Sequence, residues 1–212
     1  DIPCFHLHII VSSRSIIFLS LNYNPKCEQS QFTSNALHIE VCYFSLLTLF
    51  FTQEKLFLAF LLNRCTKGAV RLIFDRLEKR LGTYEFISVF ENILTDRGSE
   101  FGDPESLETG IHGIQRSSIY YCDPMRSGQK GALEQAHTML RMVLPKGTSF
   151  EFLTQWDVNL IVNHINSTPR ESLGGKTPYE AALETLGEDI LKAFQLKPIV
   201  PDEVNLTPKL IG

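Results

Sequence analysis

Thr95-Asp96-Arg97-Gly98-Ser99-Glu100-Phe101 is the stretch on which the fold turns, because it sets a carboxylate directly after the apolar run Asn92-Ile93-Leu94, where a glycine turn begins. In a layered α/β protein the end of a strand is where an acid can reach solvent and a hard cation. A second acid, Glu134, follows after 37 intervening residues, inside Gln129-Lys130-Gly131-Ala132-Leu133-Glu134-Gln135-Ala136-His137, which reads as helical. With Asp96 ending a strand and Glu134 facing it from a helix, the two carboxylates are expected to come near enough to share a metal ion.

The flanking sequence supplies the layers. Ser45 to Thr52 and Leu56 to Asn63 are apolar runs around the polar Gln53-Glu54-Lys55 break, the pattern of a hairpin of buried strands. Thr66 is placed to cap a helix whose apolar positions Val70, Ile73, Phe74, Leu77 and Leu81 recur at helical spacing, and Lys79, Arg80 and Gly82 end it. Asn92 to Thr95 and Ser118 to Cys122 read as short strands, with a short helix from Pro104 to Thr109 between them. A helix from about Lys130 to Val143 stops at Pro145-Lys146-Gly147. Thr154-Gln155-Trp156-Asp157 forms a capping box before Val158, Ile161, Val162 and Ile165, and Thr177-Pro178-Tyr179-Glu180 opens another helix. Strands interleaved with helices in this order predict a mixed α/β layer structure with helices on both faces.

The composition shifts near residue 45. Asp1, Arg14, Lys26, Glu28 and Glu40 are the only charges before Glu54, whereas later segments carry the charge density of an ordinary globular protein. Residues 1–44 therefore read as an atypical segment, either a native extension or out-of-frame codons joined to a domain; 45–190 read as the core and 191–212 as an extended tail. Within the first segment, Leu37, Ile39, Val41 and Tyr43 alternate with polar residues as a half-buried strand does, with Glu40 on the polar side. The apolar stretch from Leu7 to Leu21 is interrupted by Arg14 and is short for a bilayer span, so no membrane segment is expected. The formal net charge of −4 gives no general nucleic-acid signal, leaving any DNA-facing surface to local cations. Five cysteines without a C-x-x-C pair read as reduced thiols of a cytoplasmic protein.

The ordered set of Thr95–Phe101, Tyr120-Tyr121-Cys122-Asp123-Pro124 leading into Gln129–Glu134, Leu144-Pro145-Lys146-Gly147-Thr148, Asn166-Ser167-Thr168-Pro169-Arg170 and Lys176-Thr177-Pro178-Tyr179-Glu180 resembles the integrase-type catalytic core of bacterial insertion-sequence transposases. The resemblance covers about Ser45 to Gly187. It implies a ribonuclease-H-like mixed sheet flanked by helices, and metal-dependent phosphoryl transfer on DNA by an aspartate, aspartate, glutamate triad holding two Mg2+ or Mn2+ ions. Asp96 and Glu134 match the last two members. No aspartate occurs between Asp1 and Asp75, where the first member belongs. Catalysis is therefore expected to be impaired.

The resemblance also implies DNA partners, namely the ends of a mobile element and its target, and association with further copies or with an intact transposase. Lys130, Arg141, Lys146 and Arg170 are the candidate phosphate contacts, since cations beside the acids can hold the DNA backbone. Glu100 is expected to add acidity near Asp96 or to cap the following turn. His112, His137 and His164 show no ligand spacing, and Trp156 is expected in the core. The alternative class is a non-enzymatic protein that binds DNA or a transposase and interferes with transposition.

Overall fold

Strands β2 (Ser45–Phe51) and β3 (Leu56–Leu62) are apolar on both faces, and β2 is buried along its whole length. They pair antiparallel, from Phe51 opposite Leu56 to Ser45 opposite Leu62, across the polar turn anticipated above. The computed structural model describes residues 17–23, 44–95, 98–121 and 131–211. In it, β1 (Ile17–Tyr23) pairs antiparallel with the other edge of β2, placing Ile17 against Phe51 and Ser20 against Thr48. Strand β4 (Asn92–Thr95) runs parallel to β1, with Leu19 beside Thr95, and β5 (Ser118–Tyr121) runs parallel to β4. The sheet order β3-β2-β1-β4-β5 is mixed and five-stranded, which is the ribonuclease-H-like architecture.

One strand departs from expectation. No strand was assigned to 17–23, yet β1 occupies the middle of the sheet, so the sheet reaches back across the composition change near residue 45. The physical reason is that most of its residues fall inside the apolar stretch from Leu7 to Leu21, where no turn residue or period marks a strand boundary. The alternating run from Leu37 to Tyr43 lies outside the described residues.

Helix α1 (Lys67–Leu81) begins as expected, with Thr66 accepting from the Ala69 N–H, and buries Val70, Ile73, Phe74 and Leu77. Gly82, at φ 84°, ends it and lets α2 (Thr83–Val89) restart at once in a new direction, a seven-residue helix too short to show a period in sequence. The turn stacks Phe86 on Phe90 at 4.5 Å between ring centroids, and Phe90 meets Phe51 of the sheet at 5.8 Å. Helices α3 (Pro104–Glu108), α4 (Gly131–Val143), α5 (Gln155–Asn166), α6 (Pro178–Thr185) and α7 (Glu188–Ala193) complete the layers. The expected capping box forms, Thr154 with Asp157, and the helix start read at Thr177 proves to carry a second one, Thr177 with Glu180. The C-terminal segment follows α5: Lys197 N–H donates to Asn163, Ile199 N–H to the Ser167 hydroxyl and Asn205 N–H to His164 Nδ1.

Side chains close the edges of the sheet. On the outer side of β3, the Asn166 amide accepts from the Phe57 N–H at 2.9 Å and donates to the Phe57 carbonyl at 2.7 Å. Gln155 treats the Leu61 N–H and the Ala59 carbonyl in the same way, at 2.8 and 3.0 Å. Across the sheet, Glu108 accepts from the Ile119 N–H of β5 at 2.8 Å. Because Asn166 is buried and satisfies both polar groups of one residue, Asn166→Ala is expected to lower stability by about 2–3 kcal/mol, from two groups left without partners. Urea denaturation checks this; a loss no larger than that for the more exposed Gln155→Ala would show that water replaces the amide.

Candidate active site

Strand β4 directs Ile93 and Thr95 inward, and Thr95 lies between Leu19 of β1 and Tyr121 of β5. Asp96 follows Thr95 directly but, with Arg97, lies outside the described residues. Beyond it the chain tightens into a 3-10 turn, Ser99–Phe101, with Phe101 fully buried. Tyr121 fastens this turn to β5 by donating its hydroxyl to the Phe101 carbonyl at 2.7 Å. Glu100 is also buried. Its carboxylate accepts from the Ser99 hydroxyl and packs so closely on Gly98 that a Cβ at that position would collide with it. Glycine here leaves room for the Glu100 carboxylate as it is seated, at a φ of −59° that any residue adopts.

Glu134 sits in the first turn of α4 and is exposed, while Leu133, Ala136, Leu140 and Val143 form the buried face of the helix. One turn later, His137 reaches the sheet. Its Nε2 shares a 3.0 Å hydrogen bond with the Thr48 hydroxyl of β2, and its ring meets Phe57 of β3 edge-on at 6.0 Å. Burial, with a smaller contribution from the Arg141 charge, pushes its pKa from 6.5 down to about 4, so the imidazole is neutral at physiological pH. Glu134, His137 and Arg141 are spaced as one stripe of the helix. His137 is the satisfied histidine expected from its sequence, as is His164, which accepts the Asn205 N–H.

The candidate cations divide. Arg141 is exposed on α4 and Lys146 is exposed in the turn beyond it, both available to an anion; Lys130 lies outside the described residues. Arg170 is a correction. It is buried, donates to the Ile165 carbonyl at 3.2 Å and to Met139 Sδ at 2.8 Å, and its pKa is lowered by desolvation. It ties the end of α5 to α4 and does not face a phosphate. Trp156 is a second correction: it is 70% exposed, because the inward stripe of α5 runs through Val158, Ile161, Val162 and Ile165 and turns position 156 to the opposite side. Glu40 lies outside the described residues. Among those described, no group of three or more His, Cys, Asp or Glu is arranged to hold a metal ion.

Sequence reasoning missed a charged cluster in the core. Arg116, fully buried, donates to Asp75 at 2.6 Å, to Glu78 at 3.0 Å and to the Leu107 carbonyl at 2.8 Å. Its Cζ lies 5.6 Å from the ring centroids of both Phe74 and Phe86, and its remaining Nη2 has no hydrogen-bond partner. Glu78 also accepts from Thr83 and from the Ile111 N–H. The available signal was Glu78 itself, an acid on the buried stripe of α1.

No protein-family model matches the chain. In sequence it is 28% identical over 102 residues to the transposase for insertion sequence element IS4351 of Bacteroides fragilis, covering 48% of this chain and 30% of that protein. It is 30% identical over 92 residues to transposase InsI for insertion sequence element IS30A of Escherichia coli strain K12, covering 42% and 22%. The chain is thus similar to insertion-sequence transposases over a little under half of its length. It spans less than a third of the length of either. In fold, the chain is similar to the catalytic core domain of BIV integrase, with a TM-score of 0.54 and 20% identity over 81% of this chain and 95% of that one. It is also similar to a chain of the simian T-cell lymphotropic virus intasome in complex with PP2A regulatory subunit B56 gamma, with a TM-score of 0.53 and 14% identity over 79% and 54%. The chain therefore has an integrase catalytic-core fold. No helix among its described residues is long and apolar enough to cross a membrane.

Proposed function

We propose that this chain is the catalytic-core part of a DNA transposase whose strand-transfer activity is impaired. The observation that carries the reading is β1: the strand next to β4 in an integrase-type sheet reads Ile-Phe-Leu-Ser-Leu-Asn-Tyr and contains no acid. Phosphoryl transfer by two divalent ions needs carboxylates that hold both the attacking and the leaving oxygen in line. Asp96 and Glu134 supply two. Their oxygen chemistry fits one hard divalent cation that keeps most of its water, and falls short of a pair of ions. The placement of α4 supports their approach: Glu134 lies one turn from His137, which touches β2, two strands across the sheet from the end of β4. Arg141 and Lys146, both exposed, are the proposed backbone contacts to the DNA of element ends and target.

The register specifies a repair. Leu19 pairs with Thr95 in parallel strands, and Ser20 follows Leu19 in sequence as Asp96 follows Thr95, so position 20 is chosen for an acid. Ser20→Asp is therefore expected to raise Mn2+ affinity at least tenfold over the natural chain, and Asp96→Asn is expected to cancel the gain. In a cleavage assay on DNA bearing the element's ends, with a DNA-recognition module added in trans, the natural chain is expected to give no strand transfer with Mg2+ or Mn2+. Activity in the natural chain that disappears in Asp96→Asn would overturn the impairment, and an unchanged Mn2+ affinity in Ser20→Asp would overturn the site. A chain that binds element DNA but remains inert after the repair would instead favour the non-enzymatic reading.

A further inference from the structure

His137 has no part in the chemistry outlined above, yet it makes a polar contact from α4 to the centre of the sheet. Thr48 is fully buried in the middle of β2, paired with Ser20 on one side and Ala59 on the other. A histidine bonded there marks a fixed point on the sheet surface. The ring is also held edge-on by Phe57, so both its distance from β2 and its tilt are set. Three residues on a helix correspond to a rotation of 60° short of a full turn, so Glu134 and His137 share a face.

We propose that His137 is the positioning residue for Glu134: its hydrogen bond to Thr48 fixes the rotation of α4 on the sheet and thereby the place at which the Glu134 carboxylate is presented. This rests on the reading of Glu134 as a site carboxylate. The geometry gives the effect its size. A side-chain tip lies about 5–6 Å from the helix axis, so a 20° roll of α4 displaces the carboxylate by roughly 2 Å. A misplacement of about 1 Å is enough to cost on the order of 100-fold in a reaction that depends on alignment. A second contact to α4, from Arg170 to Met139 Sδ, is a weak one to a flexible side chain and cannot set rotation by itself. Neutrality suits the role, because an uncharged imidazole neither attracts the nearby carboxylate nor competes with a cation for it.

The test measures the distance between genetically encoded spin labels at exposed positions 76 on α1 and 135 on α4, together with Mn2+ affinity, in the full chain. Thr48→Val keeps the shape of the buried residue and removes its hydroxyl, and is expected to shift the mean distance by about 2 Å or to broaden its distribution clearly, as is His137→Ala. His137→Gln, whose amide nitrogen can stand where Nε2 does, is expected to restore the natural distribution. The double variant Thr48→Val with His137→Ala should move the helix no further than either single one. Distributions that stay unchanged in both single variants overturn the proposal. Mn2+ affinity is expected to fall at least tenfold in His137→Ala and to recover in His137→Gln. A natural chain that takes up no Mn2+ overturns the site assignment while the distance measurement still decides the anchor.

Discussion

A chain that begins at residue 24 is expected to lose cooperative unfolding altogether. Strand β1 is hydrogen-bonded to β2 along seven register positions and to β4 along three, and it is the only link between them in the described sheet. Without it, the remaining strands are a β2-β3 hairpin and a β4-β5 pair, and two-stranded pieces are marginal in water. The inner edge of β2 would be left as an unpaired, apolar strand, a template for aggregation. Urea titration followed by circular dichroism reads the outcome. A truncated chain that retains a single sharp transition, with the denaturant dependence of the whole chain, would show that the sheet closes without β1.

Arg116→Ala is expected to destabilise the fold by about 3–5 kcal/mol, the usual cost of leaving buried opposite charges without their partner. Against a typical total of about 5–15 kcal/mol, that brings a domain to the margin of folding. The size follows from what remains: Glu78 is fully buried and loses the cation that faces it. The contacts to Phe74 and Phe86 are lost as well. Arg116→Leu combined with Glu78→Leu should recover part of the loss, since apolar residues of similar volume often replace a buried pair without penalty, while the Ile111 N–H and the Leu107 carbonyl lose their partners. A loss below about 1 kcal/mol in Arg116→Ala would show that the carboxylates do not depend on the guanidinium.

What was legible in the sequence was whatever carries a local signal. The β2-β3 hairpin, α1 between Thr66 and Gly82, β4 with its following glycine, the Thr154 capping box and the helix start at Thr177 all follow from neighbouring residues, and all form. The illegible parts depend on distant ones. Strand β1 is a strand because β2 and β4 accept it, and its own residues resemble an interrupted apolar segment. Arg170 was read as a phosphate contact from its place in a motif, but the exposure that decides this is set by α4 and α5 packing around it. Arg116 offers no cue near its own position; its partners lie 38 and 41 residues earlier. In the candidate site, Glu134 was placed on its helix from spacing alone, whereas the Thr48 to His137 contact spans 89 residues and belongs to no motif.

The side-chain amides along β3 bear on how copies of such a core can meet. A sheet whose rim hydrogen bonds are already occupied by Asn166 and Gln155 offers little generic backbone docking there, so a neighbouring molecule cannot simply continue the pleat along that border. Contacts between subunits then have to be encoded in shape and charge on helices and loops, where each substitution changes partner choice by a small amount. Along that border, the choice of neighbour passes from the backbone, which every sequence shares, to side chains that single codons can change.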